Sequence, residues 1–157
     1  MRSTMVRQCL GLLSAAMLAV SLGTPLDARA NDPFRYELEV TPEESRVDPV
    51  IERRYTAEFA ACQRRAHITQ EYAACFEAEF SRQDAVLNRA WRAALNRFPF
   101  AVHKSLLNAQ REWIAARDPF CMADADGFRG GTIAPVVYVD CRVELTIRRT
   151  MWLEQLR

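Results

Sequence analysis

The sequence predicts an all-α fold, a small helical bundle of three to four helices held by two disulfides. Through most of residues 48–157, apolar residues recur at steps of three, four or seven, the spacing that places them on one face of a helix. Residues 31–157 also hold four cysteines. An even number of cysteines in an exported chain is typical of a disulfide framework.

Residues 1–30 have the organisation of a secretory signal peptide. Two arginines precede a run of about fifteen mostly apolar residues, and the segment ends in Ala28-Arg29-Ala30, which fits a cleavage site. The apolar run is shorter than the roughly 20 residues that a membrane span needs, and an uncleaved anchor is the alternative. We therefore expect cleavage after Ala30 and a periplasmic or secreted protein with no membrane span after signal cleavage.

The rest of the chain divides into an acidic N-terminal arm, residues 31–47, and a single helical domain, residues 48–157. The arm holds five acidic residues against two arginines and shows no apolar period. Without residues 1–30 the chain has 18 basic and 19 acidic residues. Nucleic-acid binding calls for a basic patch or stripe, so we predict no nucleic-acid partner.

Capping signals place the first two helices. Asp48-Pro49 is a favourable start, with aspartate as N-cap and proline in the first turn, and predicts a helix over about 49–66. Thr69 is a candidate N-cap for a second, longer helix. That helix should end just before Pro99, because proline disfavours helical backbone at the preceding residue.

Two more helices follow. The third carries Trp113 and runs to Cys121, and we expect Pro119 to kink or fray it near its end. Residues 124–131 are rich in aspartate and glycine and predict a loop. The last helix then begins near Thr132, a possible cap, with Pro135 in its first turn.

This layout favours one of the three pairings that four cysteines allow. On an unbroken helix, Cys62 and Cys75 would be roughly 20 Å apart, too far for a disulfide. They can pair if the chain folds back near residues 67–69, where a helix start is predicted. Cys121 and Cys141 flank the glycine-rich loop and can join two antiparallel helices. Zinc is the competing interpretation, but no CxxC or HxxxH motif is present.

The residue types that carry catalysis are not grouped in the sequence. The two histidines lie in different segments, and both disulfides would use up the four cysteines. Glu77 and Glu79 are two residues apart and do not share a helix face. An EF-hand aligned on Gly127 would need oxygen ligands at Met122 and Ile133, which have none. We predict a protein that is not an enzyme and has no metal or cofactor.

The segment from Ala109 to Cys121 contains a tryptophan, two arginines, a glutamate, an aspartate and a cysteine. Gln110, Trp113, Arg117 and Cys121 are spaced by three and four and share one helix face. An arginine beside an apolar face needs a partner, because an unpaired buried charge is costly. We hypothesise a partly buried ion cluster of Asp84 with Arg117 or Arg149, against the alternative of solvated charges on helix edges.

An ordered set of residues across 60–157 resembles the LprI-type lysozyme inhibitor family. It comprises Cys62, Thr69-Gln70-Glu71, Cys75, Glu79, Asp84, Leu87-Asn88, Leu106, Ala109-Gln110-Arg111, Trp113-Ile114, Arg117-Asp118, Cys121, Gly130-Gly131-Thr132, Cys141, Leu145-Thr146, Arg149 and Leu153. We take Gln110, Trp113, Asp118, Gly130 and Gly131 as the family signature. The sequence departs from the family pattern at two sites. Trp91 stands where tyrosine is usual, and Pro119 interrupts the third helix.

The resemblance implies a helical, disulfide-bonded domain that inhibits a lysozyme by non-covalent protein–protein contact. The alternative function is a structural or interaction protein of the cell envelope with no lysozyme-inhibiting activity, because folding explains most of the matched residues. Residues 31–52 carry seven acidic residues and two arginines, and such a local negative charge would favour encounter with a basic lysozyme.

Overall fold

The computed structural model describes residues 48–157, which contain five α-helices and one 3-10 turn. No strand occurs among these residues, so the all-α prediction is confirmed. The predicted signal peptide, 1–30, and acidic arm, 31–47, lie outside the described residues. The elements are α1 (Pro49–Glu52), α2 (Ala57–Gln63), α3 (Thr69–Arg97), α4 (Phe100–Ala125), the 3-10 turn (Asp126–Phe128) and α5 (Ala134–Gln155).

The single first helix predicted over about 49–66 is wrong, because the chain forms the two short helices α1 and α2. Asp48 caps α1 as predicted, its side chain accepting a hydrogen bond from the backbone N–H of Val50 at 2.8 Å. Thr56 then adopts extended backbone and caps α2 by accepting from the N–H of Phe59. Thr56 also donates its hydroxyl to Glu79 of α3. This long-range hydrogen bond fixes the break between α1 and α2. The spacing of apolar residues does not reveal such a contact with another helix.

The start of α3 lies one residue earlier than predicted. Ile68, with extended backbone, occupies the N-cap position, and Thr69 is the first helical residue. The Glu71 carboxylate accepts from the N–H groups of His67 (2.6 Å) and Ile68 (3.4 Å). These backbone hydrogen bonds hold the pKa of Glu71 below its ordinary value. Glu71 therefore provides the side-chain hydrogen bonds at the start of α3, where Thr69 was expected to act as the cap.

Pro119 does not end the fourth helix, which continues to Ala125. A proline inside a helix removes one hydrogen bond to the carbonyl four residues before it. Here that carbonyl belongs to Ala115, and both Ala115 and Pro119 are exposed. Because water can solvate that carbonyl, the lost hydrogen bond is tolerated at this position.

The long helix α5 is the centre of the fold, since it packs against both α3 and α4. At one end of the bundle the hydroxyls of Thr69 and Thr132 meet at 3.5 Å, and at the other end Arg97 donates to the carbonyl of Leu153. Helices α3 and α5 therefore run in the same direction and α4 runs against them. The short helix α2 packs on α3, and α1 packs on α5.

Buried apolar residues form two clusters on the two sides of α5. The first lies between α3, α4 and α5 and is built around Leu87, Leu106, Trp113, Leu145 and Leu153. The second joins α1, α2, α3 and α5 and consists mainly of Ile51, Phe59, Phe76, Val139, Val143 and Ile147. Burial of apolar side chains on both sides explains why α5 has buried residues along most of its length.

Both predicted disulfides are confirmed. Cys62 of α2 pairs with Cys75 of α3, with 5.7 Å between their Cα atoms. Cys121 of α4 pairs with Cys141 of α5, with a Cα–Cα distance of 5.6 Å. The first bridge ties the short helices to the bundle, and the second joins the two helices on either side of the 126–133 turn.

Removing either bridge should cost similar stability. For the sequence separations of 13 and 20 residues, the chain-entropy model gives about 3 kcal/mol per bridge. The double variants Cys62→Ala/Cys75→Ala and Cys121→Ala/Cys141→Ala should therefore both lose about that much free energy of unfolding in urea titrations. A loss below about 1 kcal/mol for either variant would contradict the entropic account.

Candidate functional site

The predicted ion cluster is arranged differently from the hypothesis. Arg117 and Arg149 are buried, with 7% and 0% of their surface exposed. Asp84 is half-buried, and its carboxylate accepts from the side-chain amide of Asn88 in its own helix at 2.9 Å. Among residues 48–157, no salt bridge joins Asp84 to either arginine. The reason is rotational, because Gln83 occupies the buried face of α3 and Asp84 is the next residue around the helix.

The carboxylate partner of Arg117 is its chain neighbour Asp118. Arg117 Nε donates to Asp118 Oδ1 at 2.8 Å, and Arg142 Nε lies 3.3 Å from the same oxygen. Both guanidinium groups also lie over the ring of Phe80, with centroid distances of 4.9 Å for Arg117 and 3.8 Å for Arg142. These four residues join α3, α4 and α5, and we call them the arginine–phenylalanine cluster.

Asp118 carries the negative charge of this cluster. Partial burial by itself would raise the pKa of Asp118, but the hydrogen bond from Arg117 and the charges of Arg117 and Arg142 outweigh it and lower the pKa. The carboxylate therefore stays ionised beside the two arginines. A buried guanidinium is tolerated when it has such hydrogen-bonded and aromatic neighbours.

Arg149 lies deeper, at the contact between α4 and α5. Its Nε donates to Gln110 Oε1 at 2.8 Å. Its guanidinium carbon lies 3.9 Å from the ring centroid of Trp152 and 5.7 Å from that of Trp113. Gln110 and Trp113 of the predicted signature are therefore neighbours of a fully buried cation, and their contacts serve the packing of α4 on α5.

Sequence reasoning did not identify the hydrogen-bond network around Glu79, which is fully buried. Its Oε1 accepts from the backbone N–H of Thr56 at 3.0 Å and from Gln83 at 2.7 Å. Its Oε2 accepts from the Thr56 hydroxyl and from Arg82 Nε. Burial would raise the pKa of Glu79, but these hydrogen bonds outweigh it and hold the pKa below its ordinary value.

A signal for this network was present in the sequence. Glu79 falls three and four residues after Phe76 and Cys75, on the buried stripe of α3. A carboxylate on an apolar stripe predicts a buried, hydrogen-bonded group. By contrast Glu77 is half exposed and lies 3.8 Å from Arg142. The prediction that Glu77 and Glu79 do not share a face is confirmed.

A second buried acid anchors the connection between α1 and α2. The hydroxyl of Tyr55 donates to Asp140 Oδ1 at 2.9 Å. Burial is the main reason that the pKa of Asp140 is raised, and the hydrogen bond from Tyr55 opposes this only in part. Burial and the nearby Asp140 also raise the pKa of Tyr55.

Several large apolar residues near the 126–133 turn are exposed. Met122 at the end of α4, Phe128 in the turn and Ile133 before α5 have 62%, 47% and 43% of their surface exposed. Ile68 lies at the same end of the bundle, since it precedes Thr69, which meets Thr132. Large apolar groups collected at one exposed place are typical of an interaction surface.

A groove of about 530 Å³ opens at this end of the bundle, and we call it the turn groove. It is lined by Met122, Ala125, Asp126, Arg129, Gly130, Ala134, Pro135 and Tyr138. Asp126 and Arg129 form an exposed salt bridge within it. The disulfide between Cys121 and Cys141 lies immediately below, because Cys121 precedes Met122 and Cys141 follows the first turns of α5.

The two signature glycines shape the turn. Gly130 has a φ of +82°, a conformation that residues with a side chain rarely adopt. At Gly131 an added Cβ would lie 3.2 Å from the carbonyl oxygen of Phe128, tighter than ordinary packing. Gly131 also donates its N–H to that oxygen at 2.9 Å. The tight turn therefore depends on both glycines.

The family comparison covers most of this architecture. The model of the family described as Lysozyme inhibitor LprI matches residues 60–153, which is more than half of the chain. The chain belongs to the LprI lysozyme inhibitor family. It is also 28% identical over 95 residues to an uncharacterized protein of Rhizobium meliloti (strain 1021), covering 52% of this chain and 68% of that protein. No solved structure matches at a comparable level of significance.

The LprI match includes both disulfides, the arginine–phenylalanine cluster and the turn groove. Of the predicted signature, Gln110, Trp113 and Asp118 make contacts between or within the packed helices, whereas Gly130 and Gly131 belong to the turn. The described residues 48–157 contain no cluster of metal-binding side chains and no helix that is long and apolar enough to cross a membrane. The turn groove, with the exposed Met122 in its lining, is the candidate binding site of this LprI domain.

The buried Glu79 network should dominate the stability of the contact between α2 and α3. Glu79→Gln leaves buried donors without an anionic acceptor and should lower the free energy of unfolding by about 2 kcal/mol at pH 7. Asp84→Asn, the same change on the half-buried side of α3, should cost less than about 0.5 kcal/mol. Urea titrations of both variants make the comparison, and equal losses would contradict the assignment.

The same pair of variants tests the ionisation of Glu79. Because its pKa is lowered in the folded state, its contribution is present above the ordinary glutamate pKa and is lost as the pH falls through the folded pKa. Glu79→Gln should therefore lose less stability on acidification than the parent protein, and Asp84→Asn should follow the parent.

Proposed function

We propose that the protein is an exported inhibitor that binds a lysozyme by non-covalent contact, with the turn groove as its contact surface. Membership of the LprI lysozyme inhibitor family supports the partner class. The observation that carries the assignment to the groove is its position, an exposed apolar surface directly above the Cys121–Cys141 bridge. A surface that is already ordered loses little conformational entropy on binding, which favours tight inhibition.

Export is supported by two independent features. Disulfides persist in oxidising compartments such as the periplasm and the extracellular space, and both bridges join core elements of the fold. Residues 1–30 have the charge and apolar pattern of a signal peptide. We propose a periplasmic or secreted location, where the protein would meet lysozymes that act on the cell wall.

An inhibitor of this kind needs no catalytic group. The buried Glu79 and the partly buried Asp118 and Asp140 each have a hydrogen-bond partner within the fold, and so does the buried arginine Arg149. These groups therefore stabilise helix contacts, and we propose that the protein acts by binding alone. The alternative, an envelope interaction protein without a lysozyme target, would use the same groove for another protein.

Polar substitution in the groove should weaken inhibition. Met122→Gln changes an exposed apolar residue of the groove lining, and Phe128→Gln changes an exposed apolar residue of the adjacent turn. Both remove apolar contact area without adding charge, and each should raise the inhibition constant at least about tenfold. The measurement is turnover by chicken-type, goose-type and invertebrate-type lysozymes with increasing amounts of the purified protein. Val50→Gln, at a comparably exposed apolar residue on α1, is the matched control and should inhibit as the parent does.

The outcomes separate the candidate functions. Equal inhibition by the parent, Met122→Gln and Phe128→Gln would move the contact elsewhere on the molecule. Failure of the parent to inhibit any of the three lysozyme classes would contradict lysozyme inhibition and favour the envelope interaction protein.

The acidic arm should affect encounter more than final affinity. A chain of residues 48–157 keeps Asp48, which caps α1, and Ile51, which is buried. Circular dichroism of this chain establishes that its helices are intact. At low salt this chain should associate with a basic lysozyme more slowly than residues 31–157, and the difference should vanish at high salt. Stopped-flow or surface-binding rates test this, and identical rates at low salt would remove the arm from the contact.

A further inference from the structure

A small groove opens directly on the disulfide between Cys62 and Cys75, and we call it the cysteine groove. Its volume is about 250 Å³, and it is lined by Cys62, Arg65, Ala66, Glu71, Ala74 and Cys75. Cys62 is half-buried, whereas Cys75 is 2% exposed. Both cysteines of this bridge therefore border a space that a small molecule can enter, and Cys62 is the more accessible of the two residues.

The second bridge is placed differently. The turn groove above it is lined by neither Cys121 nor Cys141, and Cys121 has no exposed surface. Cys141 is half-buried, but the bridge joins the two long helices α4 and α5, which pack on each other. Cys62 lies instead in α2, which has seven residues and buries only Phe59. Because segments with few buried contacts open locally more easily than the packed core, both exposure and local opening favour access to the first bridge.

The positions of the two cysteines in their helices set the direction of attack on this bridge. Cys62 is the sixth of the seven residues of α2, close to the carbonyl end of that helix, where the helix dipole disfavours a thiolate. Cys75 is the seventh of the 29 residues of α3, far from the carbonyl end of α3. Attack on Cys62 therefore releases the better leaving group, the Cys75 thiolate.

Arg65 gives the groove a cation that can meet a charged thiol. It is exposed and forms no salt bridge among residues 48–157. Glu71, the carboxylate of the lining, already accepts from the backbone N–H groups of His67 and Ile68. A nearby guanidinium stabilises a thiolate and attracts an anionic reagent. The volume is below the roughly 300 Å³ at which ordinary ligand sites begin, so the groove fits a small thiol.

We propose that the Cys62–Cys75 bridge is a thiol-exchange site that a small anionic thiol enters through the cysteine groove, and that Cys62 is the sulfur it attacks. The attacking thiolate forms a mixed disulfide with Cys62. The electron pair of the broken S–S bond leaves with Cys75, which takes up a proton.

A second thiolate completes the reduction of the bridge. It attacks the sulfur of the first thiol, so that Cys62 leaves as a thiolate and is protonated in turn. Two thiols are thereby oxidised to one disulfide, and the bridge gains two electrons. The product keeps the Cys121–Cys141 bridge and loses the covalent tie between α2 and α3. The proposal does not rest on lysozyme inhibition.

The order of reduction in the full-length protein tests the site. The folded protein is treated with a monothiol, and free thiols are alkylated at intervals and located by peptide mass spectrometry, which reads Cys9 separately. Cys62 and Cys75 should become free at least about tenfold faster than Cys121 and Cys141. In urea beyond the unfolding midpoint both bridges should react at similar rates, because the fold no longer protects either. Equal rates in the folded protein, or earlier reduction of the second bridge, would overturn the proposal.

The position of the mixed disulfide tests the direction of attack. Acid quenching during partial reduction traps this intermediate, and peptide mass spectrometry locates the adduct. The adduct should be on Cys62, with Cys75 as the free thiol. An adduct found mainly on Cys75 would contradict the assignment of the attacked sulfur.

Three thiols of similar size test the charge preference: anionic 2-mercaptoethanesulfonate, neutral 2-mercaptoethanol and cationic cysteamine. Each rate with the folded protein is divided by the rate in urea, which corrects for the intrinsic reactivity of the thiol. The corrected rate should be at least about threefold higher for the anionic thiol than for the cationic one, with the neutral thiol between them.

Two arginine variants assign this preference to the cysteine groove. Arg65→Gln should abolish it, because the cation of the groove is removed. Arg92→Gln is the matched control, since it removes an exposed charge about 25 Å from Cys75 along α3 and should keep the preference. Circular dichroism establishes that both variants are folded. A preference that is unchanged in Arg65→Gln, or lost equally in both variants, would overturn the role of Arg65 and of an anionic thiol.

Discussion

The buried guanidinium of Arg149 is the group around which the three long helices have to be arranged. Arg149 lies in α5 with no exposed surface, and its Nε donates a hydrogen bond to Gln110 Oε1 of α4. Its guanidinium carbon lies 3.9 Å from the ring centroid of Trp152. An isolated charge in such a place would be strongly destabilising. Helix α4 must therefore lie where Gln110 and Trp113 reach Arg149, and this condition fixes the register of α4 against α5.

Other charged side chains between the helices likewise have specific polar partners, at the start of α5 and at the contact of α2 with α3. Arg117 and Arg142 share Asp118 and the ring of Phe80, and Glu79 gathers the donors of Thr56, Gln83 and Arg82. Removing one partner from any of these sets leaves another polar group buried without its bond. The bundle is thus specified as much by polar complementarity as by apolar packing. Its family-matched residues concentrate at those contacts.

The two disulfides hold the packed helices together, whereas the turn between α4 and α5 exposes apolar side chains. Cys62–Cys75 holds the short N-terminal helices, and Cys121–Cys141 holds the base of the turn groove. Above the second bridge, Met122 and Phe128 remain exposed. A rigid base with exposed apolar residues at its end is suited to binding another protein without reorganisation. Of the residues taken as the family signature, Gln110, Trp113 and Asp118 lie at contacts of the packed helices, and Gly130 lines the turn groove.

The sequence by itself determined the three long helices, their stripes and both cysteine pairings, because helical periodicity and short chain separations are local properties. It also placed Arg117 and Trp113 on a buried face. Only the tertiary structure decided that Asp118, and not Asp84, pairs with Arg117, and that Thr56 breaks the first predicted helix to reach Glu79. Periodicity gives the angle of a side chain about its own helix axis, but the neighbour that it meets depends on the rotation and register of another helix.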